Sequence, residues 1–418
     1  MLKFVHAADL HIDSPLVGLE RYEGAPIEQI RQATRRALAN LVQLCIAESA
    51  RVLILAGDLF DGDWRDYSTG LYFVGQMQQL RQAGIPVVLI RGNHDAASQV
   101  TQRLTYPSNV TELSVEAPQT IVLEQAGLCI HGQSYAHRAE LRDLASGYPY
   151  AVSGYLNIGV LHTAVTGRPG HEPYAPCRLE TLRSKGYDYW ALGHVHEREV
   201  LSQDPWVVFP GNLQARHIKE TGPKGATVVS YDGGRIENVE HRVLDVVRFA
   251  SLRVDVKEAR SADEVVDLAF EAVQSAWNAA GERVLVVRVG IEGVDANLQA
   301  LHRDIERWTA EVRARVTELP GVWVERVKFQ PPEMRSEHTV QERGDLLGRL
   351  LNSIQATRQS PELRALLLQQ FVDVKNKLPP EVRQGEGSVQ LDNPDLVLEL
   401  LDDVEELMRT ALFPQGDG

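Results

Sequence analysis

The sequence predicts an α/β protein with a four-layer αββα core, a small α/β domain after it and a helical C-terminal region. Three observations support this fold class. Strand and helix patterns alternate over residues 4–90, strand patterns predominate from residue 120 to residue 231, and helical patterns with leucine stripes occupy the end of the chain. Alternating strands and helices form a parallel sheet, and a run of strands forms a second sheet. We therefore expect two sheets face to face, with helices outside.

The first segment is predicted to fold as a β-α-β-α-β unit. Its strands are apolar runs at residues 4–8, 52–56 and 87–90, which is typical of strands that are buried on both faces. Apolar residues recur three and four positions apart at residues 27–49 and 71–83, the spacing of an amphipathic helix. Because functional sites of open α/β sheets lie at the carboxyl ends of the strands, polar residues that follow these strands are candidates for a site.

The middle of the chain is rich in strand patterns that are separated by Gly, Pro and Asp turns. These strands are expected at residues 120–123, 128–131, 157–161, 189–192, 206–209 and 227–231. They predict the second sheet of a core domain that spans residues 1–245.

A second domain is expected over residues 246–330, from a boundary near Val246. Its β-α-β-α-β pattern places strands at residues 248–256, 284–291 and 322–329 and helices at residues 261–279 and 296–316. It contains no cluster of metal-binding side chains, so we interpret it as a capping domain. Residues 331–418 form the third region, which begins at Pro331-Pro332 and is helical. Its last helix, at residues 395–413, is acidic, and its apolar stripe suits either internal packing or docking on a partner.

The amino-acid composition limits the classes of function that this protein can have. The chain of 418 residues is 44% hydrophobic and 24% charged, which is ordinary for a globular protein. No run of about 18 apolar residues occurs, so no membrane span is expected. Cys45, Cys129 and Cys177 lie far apart, as expected of reduced thiols in a cytoplasmic protein. The net charge of −14 weakens a DNA-binding interpretation without removing it, because 16 acidic and 9 basic residues place half of that charge in residues 331–418.

Five short clusters of metal-binding side chains stand in a fixed order, each where a predicted strand ends. They are Asp9-Leu10-His11, Gly57-Asp58, Gly92-Asn93-His94-Asp95, His162 and Gly193-His194-Val195-His196. Each cluster alone is weak evidence, since a helix cap or a core histidine would explain it equally well. Together they supply carboxylates, an amide oxygen and imidazoles in numbers that suit two divalent cations sharing one carboxylate.

The order and spacing of these clusters resemble the calcineurin-like metallophosphoesterases. Residues 6–11, 56–61 and 209–212 are similar to the SbcD-type DNA-repair nucleases within that family. Residues 162–168, 174–177 and 214–217 are most similar to the YhaO branch of the group. The resemblance covers residues 1–245, and it implies the four-layer metallophosphoesterase core.

The resemblance also implies a ligand set. Asp58, which follows the central strand, would bridge two metals. One metal would further take Asp9, His11 and His196, and the other Asn93, His162 and His194. The mixture of nitrogen and oxygen ligands suits Mn²⁺, Fe²⁺ or Zn²⁺, and the family resemblance favours Mn²⁺.

The catalytic residues expected from the resemblance are His94 and Asp95. His94 would bind no metal and would protonate the leaving oxygen, and Asp95 would orient its imidazole. Asp61 lies where archaeal and eukaryotic relatives carry a substrate-guiding His, but it could equally cap the next turn. Four further residues in loops after ligand strands could face a phosphate backbone or remain solvated: Arg168, Arg216, His217 and Lys219.

The function expected from this combination is hydrolysis of DNA phosphodiester bonds, as an exonuclease or endonuclease of DNA repair. An SbcC-like coiled-coil ATPase is the partner that the resemblance implies, and homodimer formation is left open. The alternative is a phosphomonoesterase or cyclic-nucleotide phosphodiesterase on a small substrate, which the extra domain and helical tail disfavour. A non-enzymatic scaffold for the ATPase is disfavoured by the intact ligand set.

Overall fold

The computed structural model describes residues 1–14, 27–61, 67–97, 104–165, 174–294, 301, 304–329 and 346–377 and positions 397, 398, 400, 401 and 404. The strands are β1 (Leu2–Ala7), β2 (Leu53–Ala56), β3 (Val87–Ile90), β4 (Val110–Glu112), β5 (Gln119–Leu123), β6 (Leu128–Gly132), β7 (Leu156–His162), β8 (Tyr189–Gly193), β9 (Glu199–Gln203), β10 (Trp206–Phe209), β11 (Gly225–Asp232), β12 (Arg235–Val243), β13 (Val247–Asp255), β14 (Val284–Glu292) and β15 (Val322–Phe329). The helices are α1 (Ile27–Arg31), α2 (Ala33–Ala47), α3 (Ser68–Gln82), α4 (Asn93–Ala97), α5 (Leu179–Ser184), α6 (Ala262–Ala280), α7 (Ile305–Val316), α8 (Leu346–Gln359) and α9 (Pro361–Lys377). The α/β fold class predicted from the sequence is confirmed.

Two six-stranded sheets form the core. The first has the order β12-β11-β1-β2-β3-β4, in which β1 to β4 are parallel and β11 and β12 antiparallel. The second has the order β5-β6-β7-β8-β10-β9, in which the four inner strands are parallel and both edge strands antiparallel. Parallel inner strands place the ends of β1, β2 and β3 at one edge, and those of β7 and β8 likewise at one edge of the second sheet.

Alternation of side chains along each strand explains why the sequence shows continuous apolar runs. In β2, Leu53 and Leu55 pack against α2 and α3, whereas Ile54 and Ala56 belong to the cluster between the two sheets. Both faces of the strand are therefore buried, so that no position needs a polar side chain.

The outer face of the second sheet is covered differently from what the αββα pattern suggests. The short helices α4 and α5 and a 3₁₀ turn pack on it, and three aromatic rings carry much of the packing. Trp190 stacks on Tyr187 and Tyr148, with ring centroids 4.9 and 5.7 Å apart. Large buried rings thus replace part of a helical layer.

The third sheet, β13-β14-β15, is parallel and carries α6 and α7. Helix α6 begins where the Ser261 hydroxyl accepts a hydrogen bond from the Glu264 amide, as expected of a helix N-cap. The sheet docks on the core through an apolar cluster that includes Ala33, Ala215 and Phe249. The division of the chain at residues 245 and 330 stays a prediction.

The C-terminal region contains α8 and α9, but most of the predicted helix at residues 395–413 lies outside the described residues. Among the helices that the structure does describe, none combines the length and apolarity needed to cross a membrane. The three cysteines are buried, and none of them forms a disulfide bond.

Candidate metal centre

The predicted ligands come together because they follow parallel strands whose carboxyl ends meet. Strand β1 leads into Asp9 and His11, β2 into Asp58, and β3 into Asn93. The second sheet contributes His162 at the end of β7 and, just beyond β8, His194 and His196. One site is thus assembled from both sheets, where the first sheet faces the second.

Asp9, His11 and His196 form the first group. His11 Nε2 lies 3.2 Å from His196 Nε2, which in turn lies 3.8 Å from Asp9 Oδ1. One ligand atom from each of these residues falls within 4.8 Å of the other two. A carboxylate and two imidazoles at this spacing suit a shared divalent cation.

Asn93, His162 and His194 form the second group, next to Asp58. His162 Nε2 is 3.4 Å from Asp58 Oδ2 and 3.0 Å from Asn93 Oδ1. The His194 ring lies 5.2 Å from the His162 ring, measured between centroids. Asp58 Oδ2 is also 4.0 Å from His11 Nε2, so this carboxylate lies between the two groups, as a bridging ligand would.

Backbone conformation at the site is unusual. Asp9, His11, Asp58 and His194 have φ angles of 51°, 42°, 53° and 100°. Residues other than glycine rarely adopt positive φ, and such strain concentrates at functional sites. Gly193 is needed for another reason, because a Cβ at that position would lie 2.0 Å from the Ala56 carbonyl oxygen.

Hydrogen bonds orient two of the imidazoles. His162 Nδ1 lies 2.9 Å from the Ala56 carbonyl oxygen, and His196 Nδ1 lies 2.7 Å from Glu220 Oε1. If each Nδ1 donates its proton, Nε2 is the free acceptor atom in both rings, and Nε2 is the atom that faces the carboxylates. Second partners of this kind fix the tautomer of metal-binding histidines. The donor set therefore fits a metal centre.

Burial and the neighbouring charges together set the pKa values of the carboxylates and imidazoles in the cluster. Burial raises the pKa of Asp9, against the effects of His196 and His162. Burial also acts to raise the pKa of Asp58, but the neighbouring imidazoles, His162 first, hold that pKa well below its usual range. Burial acts to lower the pKa of His162, yet Asp58 raises it to about 9. The imidazoles of the cluster thus compensate the charge of its buried carboxylates.

His94 is held by Asp61, and this corrects the sequence prediction that Asp95 orients it. His94 Nδ1 lies 2.6 Å from Asp61 Oδ1. Asp95 is fully buried and instead accepts hydrogen bonds from the amides of Leu59, Phe60 and Gly92. The two residues are consecutive in α4, and consecutive side chains of a helix do not face each other.

The pKa values of these three side chains differ accordingly. Burial acts to lower the pKa of His94, but the hydrogen bond to Asp61 and the charge of Asp58 raise it above its usual value. Burial and the charge of Asp58 raise the pKa of Asp95 to about 7. Burial acts to raise the pKa of Asp61, but His94, His11 and Arg216 hold it well below its usual range. His94 therefore has an ionised partner.

Two further groupings of ligand atoms share Asp58: one adds Asp9 and His162, and the other adds His11 and His94. The ligand set that the resemblance implies does not include His94, and we retain that set as a proposal.

The loop residues that the sequence singled out separate in the structure. Arg216 is 15% exposed and lies 3.2 Å from Asp61 and 3.5 Å from Glu220, whereas His217 and Lys219 are exposed. Arg168 lies outside the described residues. Glu220 was missed by the sequence analysis, and a single glutamate in a loop gives no sequence signal that could have identified it.

Comparisons with known proteins agree with this geometry. Residues 2–198 match the family model of the calcineurin-like phosphoesterases, so this part of the chain is a calcineurin-like phosphoesterase domain. Residues 249–330 match the model of the middle domain of metallophosphoesterase YhaO. The resemblance stated from the motifs is confirmed.

The chain is 38% identical over 264 residues to the uncharacterized metallophosphoesterase YhaO of Bacillus subtilis, which covers 62% of this chain and 64% of that protein. It is 24% identical to the DNA double-strand break repair protein Mre11 of Sulfurisphaera tokodaii, over 60% of this chain and 63% of the other. It is 32% identical to a subunit of the nuclease SbcCD of Rhodobacter capsulatus, over 34% and 32% of the two chains. The chain thus spans less than two thirds of each relative's length.

We expect Asp58→Ala to lose both metals, because this carboxylate lies between the two groups of ligands. Elemental analysis after dialysis against buffer with trace Mn²⁺ measures the metal content per chain. Asp188→Ala, which removes a half-buried carboxylate just before β8, at the opposite end of that strand from the ligands, is the matched control and should retain two metals. Two metals retained by Asp58→Ala would contradict the shared ligand.

Proposed function

We propose that the chain is a two-metal phosphodiesterase that hydrolyses DNA phosphodiester bonds. The observation that supports this function best is the position of His94. Its imidazole is paired with Asp61 at 2.6 Å, and its backbone amide donates to Asp58 Oδ1 at 2.9 Å. A positioned imidazole next to a bridging carboxylate suits an acid that acts beside a metal centre.

The ligand assignment that we propose keeps Asp58 as the bridge. Asp9, His11 and His196 would hold one cation, and Asn93, His162 and His194 the other. When bound, two divalent cations lower the pKa of water and stabilise negative charge on phosphoryl oxygens. Mn²⁺ is our first choice of metal, and Fe²⁺ or Zn²⁺ would suit the same nitrogen and oxygen donors.

His94 would supply the proton that the leaving oxygen needs. With Nδ1 donating to Asp61, the second proton of the cationic ring is on Nε2, where it can be transferred. The negative charge of Asp61 stabilises the cationic ring before transfer, in line with the raised pKa of His94. Asp95 would stabilise the loops after β2 and β3, since three of their backbone amides donate hydrogen bonds to its carboxylate.

Support for DNA as the substrate comes from the relatives. Two of them are named as a DNA double-strand break repair protein and as part of a nuclease. A chain with a net charge of −14 is a poor non-specific DNA binder by itself. We therefore propose that a partner, an SbcC-like coiled-coil ATPase in the cytoplasm, supplies much of the DNA affinity.

The direct test compares substrates. The chain is loaded with Mn²⁺, Mg²⁺ or Zn²⁺ and assayed on single-stranded DNA, double-stranded DNA, an aryl phosphodiester and an aryl phosphomonoester. We expect DNA and the diester to be cleaved and the monoester to be poor. Efficient hydrolysis of the monoester without DNA cleavage would instead support the small-substrate alternative. Inactivity on all four substrates would contradict the proposal that the chain is an enzyme.

His94→Ala should keep both metals and lose turnover on DNA by about 10²–10⁴-fold, the usual contribution of a general acid. Metal analysis and turnover are measured on the same preparations. A diester with a very acidic leaving group needs no protonation and should be affected much less. Equal losses on both substrates would contradict acid catalysis and indicate general damage to the site.

Deletion of residues 331–418 should leave hydrolysis of an aryl phosphodiester intact, since every proposed ligand precedes residue 200. It should weaken binding to the ATPase partner, because Leu363 and Leu366 of α9 are 44% and 58% exposed, and exposed apolar stripes mark interaction surfaces. Co-purification measures the second effect. Unchanged partner binding would place the docking surface elsewhere in the chain.

A further inference from the structure

Arg216 joins two carboxylates that belong to different parts of the site. Its Nη1 lies 3.2 Å from Asp61 Oδ2, and its Nη2 lies 3.5 Å from Glu220 Oε1. The backbone amide of Arg216 also donates to Glu220 Oε2 at 2.7 Å. The residue is therefore attached to Glu220 at both its backbone and its side chain, and to Asp61 through the other arm of the guanidinium.

Each of these carboxylates holds one imidazole of the site. Asp61 Oδ1 pairs with His94 Nδ1 at 2.6 Å, and Glu220 Oε1 pairs with His196 Nδ1 at 2.7 Å. The ring of His11 lies between the two, with centroids 4.9 Å from His94 and 5.1 Å from His196. A continuous chain of contacts thus runs from the proposed acid to a proposed metal ligand: His94, Asp61, Arg216, Glu220 and His196.

We infer that Arg216 is a positioning residue that fixes the His94 imidazole and the His196 imidazole at the same time, through Asp61 and Glu220. This inference rests on the proposed metal site and assigns no direct contact with substrate to Arg216. It concerns a residue that the ligand pattern does not include, in the segment between the last ligand and the capping domain.

Burial and geometry distinguish this arrangement from a surface ion pair. The side chains of Arg216 and Glu220 are only 15% and 7% exposed, so neither charge can be left without a partner at low cost. Glu220 Oε2 also accepts from Asn212 Nδ2 at 2.9 Å, which restricts the carboxylate further. A planar guanidinium can contact two carboxylates with separate nitrogens, whereas a lysine ammonium is one compact charge.

The inference is tested by two readouts that do not depend on turnover. Co²⁺ is titrated into the metal-free chain, and its absorbance and dissociation constant report the His196 ligand group. In the Zn²⁺-loaded chain with ¹⁵N-labelled histidine, the resonance of the proton on His94 Nδ1 reports the hydrogen bond to Asp61. Both are measured for Arg216→Met, Glu220→Gln, Asp61→Asn and a control variant.

Arg216→Met should change both readouts. The dissociation constant for Co²⁺ should rise by about 10–100-fold, as for other residues that orient metal ligands. The resonance of the proton on His94 Nδ1 should shift. Glu220→Gln should mainly weaken Co²⁺ binding, and Asp61→Asn should mainly move the His94 proton. Arg248→Met is the matched control, since Arg248, in β13, is 14% exposed and pairs with the buried Asp245. It should change neither readout.

An Arg216→Met variant that moves only one readout, or neither, would overturn the inference. If that variant does not fold, Arg216→Lys replaces it. The single ammonium group of lysine should preserve at most one of the two readouts. If both readouts are preserved in Arg216→Lys, the inference is likewise contradicted. Failure of the unaltered chain to bind Co²⁺ would contradict the metal site itself, which separates that failure from failure of the Arg216 bridge.

Discussion

Two buried carboxylates set the conditions for the rest of this site. Asp9 and Asp58 are 0% and 1% exposed, where the ends of the first sheet's strands face the second sheet. An unpaired charge at such depth is very costly, so compensating groups must surround it. The backbone amides of His194 and His94 donate to Asp9 and Asp58, and imidazoles from both sheets lie close to the two carboxylates. Divalent cations would complete that compensation.

The left-handed backbone at the ligands follows from the same constraint. Each chain segment must turn sharply after its strand so that a carboxylate or imidazole reaches the shared centre. Strain of about 1–3 kcal/mol per residue is tolerated only when surrounding contacts fix the conformation. Asp95 supplies some of these contacts, because its carboxylate accepts hydrogen bonds from backbone amides of the loops after β2 and β3.

The segment from Asn212 to Glu220 connects the site to the third sheet. Gln214 accepts a hydrogen bond from the Val246 amide at 2.9 Å and donates to the Val247 carbonyl at 2.6 Å. Ala215 packs in the apolar cluster with Phe249. The following residue, Arg216, contacts Asp61, and Glu220 contacts His196. One short loop therefore anchors the docked sheet and supports two imidazoles of the site.

The sequence by itself determined the α/β class and the location of the proposed metal ligands. Apolar runs that end at Asp9, Asp58 and Asn93 define buried parallel strands, and the geometry of a parallel sheet then brings the residues after them to one edge. Motif order extended this to His162, His194 and His196, which the second sheet carries to the same place.

Only the tertiary structure decided which side chains support the site. Asp95 is next to His94 in the chain, but the helical turn directs the two side chains differently, and Asp61 takes the place expected of Asp95. Arg216 and Glu220 are more than 150 residues from Asp61 in the sequence, and their loop has no periodic pattern. Sequence patterns encode strands, helices and residues that follow them, whereas contacts between distant loops depend on how the two sheets pack.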